Sequence, residues 1–215
     1  MIDDEAMAFE LPGIYPITDT RLSGLSHTEQ VRRLIDGGAT LIQLREKALE
    51  PRTFLPDAEA ALKVAQKNGA RLIINDRVDI AMALGADGVH LGQSDLPPAI
   101  ARRLVGPNSI IGFSTHNREQ VVEAATLPVN YVAFGPVFAT ATKHDPDPVA
   151  GLEGLTSARS ILGDIPLVAI GGISSEQIFS VIQAGADSVA IISALISDPE
   201  RMAANYQRFH ASLPK

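Results

Sequence analysis

Gln43, Arg45 and Lys47 stand at alternate positions near the end of the stretch 38–47, GATLIQLREK. Strand side chains alternate faces. An amide, a guanidinium and an ammonium therefore leave one face, while Ile42, Leu44 and Glu46 take the other. At the C-terminal end of a buried strand such a trio is a candidate anion site. The plainer reading pairs Arg45 and Lys47 with carboxylates in a polar layer. Asp76 follows RLIIN at 71–75, and Asp95 follows DGVHLGQ at 87–93. Two carboxylates from neighbouring strand ends can hold one hard cation, and oxygen ligands in a chain without cysteine favour magnesium. The plainer reading has Asp76 capping a helix and Asp95 closing a turn before Pro97.

The elements that must position these groups repeat. Short apolar runs at 14–18, 38–47, 71–75, 87–93, 109–114, 130–136, 166–172 and 187–193 alternate with helical patterns. The phrases GGATLIQL, LGADGVHL and AGADSVAI are degenerate copies of one joint that ends a helix, turns and begins a strand. Ser26 with Glu29 and Ser174 with Gln177 read as capping boxes, and Asn117 with Gln120 as a further cap. Helices are expected near 51–68, 78–84, 154–162 and 199–213, among others. Strands apolar on both faces with helical crossovers indicate a parallel sheet. Eight such units indicate a single-domain α/β chain, a (β/α)8 TIM barrel over 13–215, with a doubly wound sheet as the alternative. Residues 1–12 lack periodicity and read as a frayed N-terminal extension.

Composition bounds the partners. The chain has 215 residues, 46% of them hydrophobic and 20% charged, and a net charge of −7. That charge and the few aromatics argue against nucleic acid, and no apolar run approaches the roughly 20 residues that span a bilayer. The acidic start is unlike a signal peptide, so a cytoplasmic location is expected. Small-molecule substrates are expected, and oligomeric state is not readable. An anionic substrate would need a local cationic site against the overall charge.

In a parallel barrel, chemistry sits where strands end. Besides the groups above, that rim collects Asn75, Ser114, and the loop 139–151 with Thr140, Thr142 and Lys143, a length suited to a lid. Gly171-Gly172 opens a helix after the seventh strand, and Ile192-Ser193 follows the eighth. Those loops form the usual phosphate site of this fold, although a plain turn would use the same residues. His90 and His116 are expected to be structural.

QLREK at 43–47, IND at 74–76, GQSDLP at 92–97, GFSTH at 112–116, FGPVFATATK at 134–143, AIGGI at 169–173 and AIIS at 190–193 together resemble the thiamine phosphate synthase family. The motifs run in register from about Tyr15 to Leu195. The resemblance implies a transferase that joins 4-amino-2-methyl-5-(diphosphooxymethyl)pyrimidine to thiazole phosphate and releases pyrophosphate. It implies that Gln43, Leu44, Arg45, Glu46, Lys47, Asn75, Ser114 and Lys143 contact the pyrimidine diphosphate, with Arg45, Lys47, Ser114 and Lys143 catalytic. Asp76 and Asp95 would hold Mg2+. Thr140, Ala141, Thr142, Gly172, Ile192 and Ser193 would contact thiazole phosphate. A thiazole tautomerase on the same fold would need no diphosphate and metal site, and a non-catalytic precursor-binding relative would have lost its carboxylates or lysines.

Overall fold

Asp87, Asn130 and Asp187 each stand just before a strand and take up an amide at the start of the strand that precedes it in the chain. Asp87 Oδ2 accepts the Leu72 N–H at 2.7 Å, Asp187 Oδ2 that of Leu167 at 2.7 Å, and Asn130 Oδ1 that of Ile111 at 2.9 Å. The repeated joints therefore fix where strand pairing starts. In the computed structural model, which describes residues 10–140, 142 and 147–214, this pairing closes a ring. Strands β1 (Ile14–Thr18), β2 (Leu41–Leu44), β3 (Arg71–Asn75), β4 (Gly88–Leu91), β5 (Ile110–Thr115), β6 (Tyr131–Phe134), β7 (Leu167–Ile170) and β8 (Ser188–Ile191) form a parallel barrel in chain order. β8 returns to β1, with Tyr15 beside Ala190. Ala141, Lys143 and residues 1–9 of the expected extension lie outside the described residues.

The described residues hold ten α-helices: α1 (Thr20–Ser23), α2 (His27–Asp36), α3 (Pro51–Lys67), α4 (Val78–Leu84), α5 (Pro98–Val105), α6 (Arg118–Ala124), α7 (Gly151–Leu162), α8 (Ile178–Gln183), α9 (Ser193–Ile196) and α10 (Met202–Ala211). The expected eight omit α1 and α9, one-turn helices too short to show a period. α7 begins three residues before the expected Gly154, its first turn hidden by two glycines. The expected last helix divides into a 3-10 turn, Pro199–Arg201, and α10. The caps hold. Ser26 accepts the Glu29 N–H, Asn117 accepts that of Gln120, and Ser174 and Gln177 complete a reciprocal capping box.

Strand residues divide between two apolar layers. Ile42, Leu44, Leu72, Ile74, Val89 and Leu91 pack outward against the helices, all fully buried. Tyr15, Ile17, Leu41, Ile73, Tyr131 and Val168 fill the barrel interior. Burying one such aliphatic side chain contributes about 1.5–3 kcal/mol. Above this packed interior the C-terminal rim is open.

Candidate functional site

β2 ends at Leu44, so Arg45 and Lys47 reach beyond the last paired residue rather than lying within the strand as expected. The alternation nevertheless persists: Gln43, Arg45 and Lys47 line a cavity of about 520 Å³ at the strand ends. Around it stand Asn75 and Asp76 after β3, Asp95 after β4, Ser114 on β5, Thr140 and Thr142 after β6, Gly171 and Gly172 after β7, and Ile192 and Ser193 after β8. Ile17, Ile170 and Ala190 supply an apolar wall. Two expected contacts are elsewhere. Leu44 is fully buried against the helices, and Glu46 turns its carboxylate away from the cavity.

Both cations are paired. Arg45 Nη1 lies 2.5 Å from Asp19 Oδ2, and Lys47 Nζ donates to Asp76 Oδ2. Asp19 also caps α1 through the Arg21 N–H at 3.0 Å. The sequence motifs do not single out Asp19, although it directly follows β1 and meets the same strand-end criterion. Pairing with carboxylates and lining the cavity thus occur together.

Asp76 does not cap α4; Arg77 holds the N-cap position without a side-chain bond. Asp76 sits instead at φ 60°, a left-handed conformation Asp tolerates better than most residues. Asp95 does close its turn, accepting the Gly92 N–H at 2.7 Å. Burial pushes the Asp95 carboxyl above its ordinary range, the Gly92 amide pulls it down, and the adjacent Asp76 carboxylate raises it further. Two carboxylates this close favour a cation between them, and their oxygens suit a hard one. Among the described residues no group of three or more His, Asp or Glu forms a metal cage. A magnesium ion here would depend on substrate oxygens and water for the rest of its shell, its usual habit.

On the opposite side, Gly172 (φ 62°) lies under the β6–α7 loop. A Cβ on it would come within 2.2 Å of the Ala139 carbonyl oxygen. Thr142 Oγ1 donates to Ser193 Oγ at 3.2 Å, tying that loop to the start of α9. Residues 192–194, the opening turn of α9, face the cavity. A first helical turn leaves amide N–H groups without intrahelical partners. His116 also lines the cavity, its Nδ1 2.7 Å from the Gly135 carbonyl. His90 is buried, with its Nε2 2.8 Å from Ser114 Oγ.

Glu46 braces the rim. Its Oε1 accepts the Ala48 and Leu49 N–H groups, and its Oε2 accepts from Thr20 and lies 3.3 Å from His27 Nε2. Burial pushes this carboxyl up, but those four contacts outweigh it and hold it down to about 2. Burial lowers His27 below its usual value against the pull of Glu46. Both folded values are depressed, so both groups contribute stability above their unfolded values and lose it as pH falls. For His27 the loss begins below about 6.5; for Glu46 it runs between about 4.5 and 2 and is worth about 3 kcal/mol. The urea midpoint is expected to fall steadily from pH 7 to pH 3. His27→Gln should flatten its upper part, and a midpoint insensitive to acid would contradict the bracing role.

Asn75 Nδ2 is buried at the cavity wall and meets no acceptor among the described residues. An orphaned donor costs about 1–3 kcal/mol unless a ligand satisfies it. Asn75→Leu is therefore expected to leave the melting temperature equal or higher. The same change should raise KM for the substrate bearing that acceptor about tenfold, from steady-state kinetics.

The fold and rim define a class: a (β/α)8 barrel whose rim cavity has one side lined by cation–carboxylate pairs and another lined by glycine backbone and a helix start. A family model for thiamine monophosphate synthase matches residues 14–195. The thiamine-phosphate synthase of Koribacter versatilis is 45% identical over 206 residues, covering 94% of this chain and 97% of that one. Its counterpart in Chloroflexus aurantiacus is 43% identical over 195 residues, covering 90% and 89%. The solved thiamine phosphate pyrophosphorylase of Pyrococcus furiosus superposes with a TM-score of 0.82 at 35% identity, over 93% of this chain and 94% of that one. The chain belongs to the thiamine monophosphate synthase family.

Proposed function

We propose that the chain makes thiamine phosphate, joining 4-amino-2-methyl-5-(diphosphooxymethyl)pyrimidine to 4-methyl-5-(2-phosphooxyethyl)thiazole with release of pyrophosphate. The observation that carries the reading is the convergence on one cavity of Arg45, Lys47, Asp76 and Asp95 from one side with Gly172, Thr142 and Ser193 from the other. A reaction of a diphosphate ester with a phosphate ester needs both.

In this reading Arg45 and Lys47 bind the diphosphate and offset its charge as it departs. Lys143, outside the described residues, is assigned to the same task by its motif. Asp76 and Asp95 would hold Mg2+, which supplies Lewis-acid neutralisation of the leaving diphosphate. Ser114 and the orphaned Asn75 amide orient the pyrimidine, while Ile17, Ile170 and Ala190 keep water from the reacting carbon. Thr140, Ala141, Thr142, Gly172, Ile192 and Ser193 seat the thiazole phosphate so that its ring nitrogen faces the pyrimidine methylene. That nitrogen carries no proton, so no general base is required; positioning and leaving-group stabilisation do the catalysis.

The reading includes a cytoplasmic location. Among the described residues no helix is long and apolar enough to cross a membrane, and phosphorylated substrates do not cross bilayers unaided. The test is to incubate purified protein with both substrates and magnesium and to quantify products chromatographically. Thiamine phosphate and pyrophosphate are expected in equal amounts. Folded protein that forms neither, or that only isomerises the thiazole, would overturn the proposal.

A further inference from the structure

Four polar side chains cross the barrel interior at the floor of the cavity and end on Ser114. Gln43 Nε2 donates to Tyr15 Oη at 3.1 Å, and Tyr15 Oη lies 2.9 Å from Tyr131 Oη. Tyr131 Oη lies 2.9 Å from His90 Nδ1, and His90 Nε2 lies 2.8 Å from Ser114 Oγ. The four come from β2, β1, β6 and β4, and all are buried. A glycine makes the crossing possible. A Cβ on Gly112 of β5 would fall 2.1 Å from Tyr131 Cζ and 2.5 Å from His90 Nδ1.

The direction of this chain is set at its amide end. The Gln43 NH2 group can only donate. Tyr15 Oη therefore accepts there and must place its own proton elsewhere. Tyr131 Oη is the acceptor that the hydrogen bonds among the described residues offer it. Among the described residues His90 Nδ1 is then the acceptor that the geometry offers the Tyr131 proton, at 2.9 Å. His90 must then carry its proton on Nε2 and donate to Ser114 Oγ. The Ser114 proton is left to point into the cavity that Ser114 lines.

We infer that Gln43, Tyr15, Tyr131 and His90 form a one-way hydrogen-bond chain that commits the Ser114 hydroxyl to donate into the cavity, so that the ligand atom it meets is an acceptor. Tyr131 and His90 are positioning residues acting through Ser114, a role that rests on the function proposed above. The chain sets specificity as well as orientation. A lone pair on a ring nitrogen or diphosphate oxygen is accepted, and an N–H or protonated amine at the same place is refused. Buried networks of this kind polarise one another, so breaking one link disturbs the far end.

The first measurement needs neither substrate nor variant. Long-range 15N–1H correlation spectra of the labelled protein, with the His90 ring linked to its backbone, report which ring nitrogen holds the proton. The Nε2–H form is expected, and an Nδ1–H form would overturn the inference whatever the enzyme's activity. Tyr131→Phe removes the donor to Nδ1. With Nδ1 no longer held as an acceptor, the variant is expected to lower kcat about tenfold, with little change in the KM of the thiazole substrate. Ser114→Ala should then cost much less in the Tyr131→Phe background than in the parent, because Ser114 is already misdirected. Fully additive losses would refute the coupling.

Discussion

Asp76→Asn is expected to lower kcat/KM about 10²- to 10³-fold, equivalent to about 3–4 kcal/mol in the barrier, while the protein stays folded. Asparagine is the informative substitution because Asp76 holds φ 60°, which Asn adopts nearly as readily. Alanine would add backbone strain to the loss of charge. Asparagine also keeps an oxygen for the Lys47 ammonium, which now bonds Asp76 Oδ2. Only the negative charge is removed, at a side chain 18% exposed with a partner 44% exposed, so little stability is at stake. The residual activity should need far more magnesium for half-saturation, read from a magnesium titration at saturating substrates. Unchanged turnover at limiting magnesium would remove Asp76 from the metal role.

The other large effect is expected on the phosphate side. Gly172→Ala places a Cβ 2.2 Å from the Ala139 carbonyl oxygen and 2.9 Å from Phe138 backbone atoms. None of those atoms belongs to a flexible side chain, so the β6–α7 loop must move, and Thr140 and Thr142 move with it. A displacement near 1 Å at a positioning group costs up to about 10²-fold. The loss should fall on kcat/KM for the thiazole phosphate, with binding of the pyrimidine diphosphate largely kept. Gly85→Ala provides the control. It has a similar φ, 63°, but nothing within 4 Å of its Cβ. It should show only the stability cost of left-handed backbone, about 1–3 kcal/mol, without a kinetic defect. Equal kinetic losses in both variants would show that the Gly172 contact does not shape the site.

The barrel was legible because the joints before the strands repeat. Asp87 and Asp187 occupy equivalent places in LGADGVHL and AGADSVAI, and each takes up an amide at the start of the preceding strand. The cavity residues were legible for the same reason: once strand ends are known, the polar residues there are few. What stayed hidden depends on contacts between distant segments. Asp19 reads as an ordinary residue after a strand, and only the fold brings it 26 positions away to Arg45. Tyr15 and Tyr131 sit at inward positions of apolar strands, so they read as core. Their hydroxyls acquire meaning only 116 residues apart, against each other and His90. His90 reads as structural in the sequence; the fold places it against Ser114 at the cavity wall. Glu46 stood inside the QLREK motif with the opposite facing. Its carboxylate holds the Thr20 hydroxyl and its own loop amides, which a pattern of alternation cannot reveal.

The central claim is that one cavity holds two separate anion sites. Calorimetric titration of the protein with pyrophosphate in the presence of magnesium, followed by titration with thiamine phosphate, tests it directly. The account predicts that one pyrophosphate and one thiamine phosphate bind per chain together, each leaving the other's stoichiometry unchanged. Strict competition between the two, with either one displacing the other, would reduce the rim to a single anion site and contradict the account.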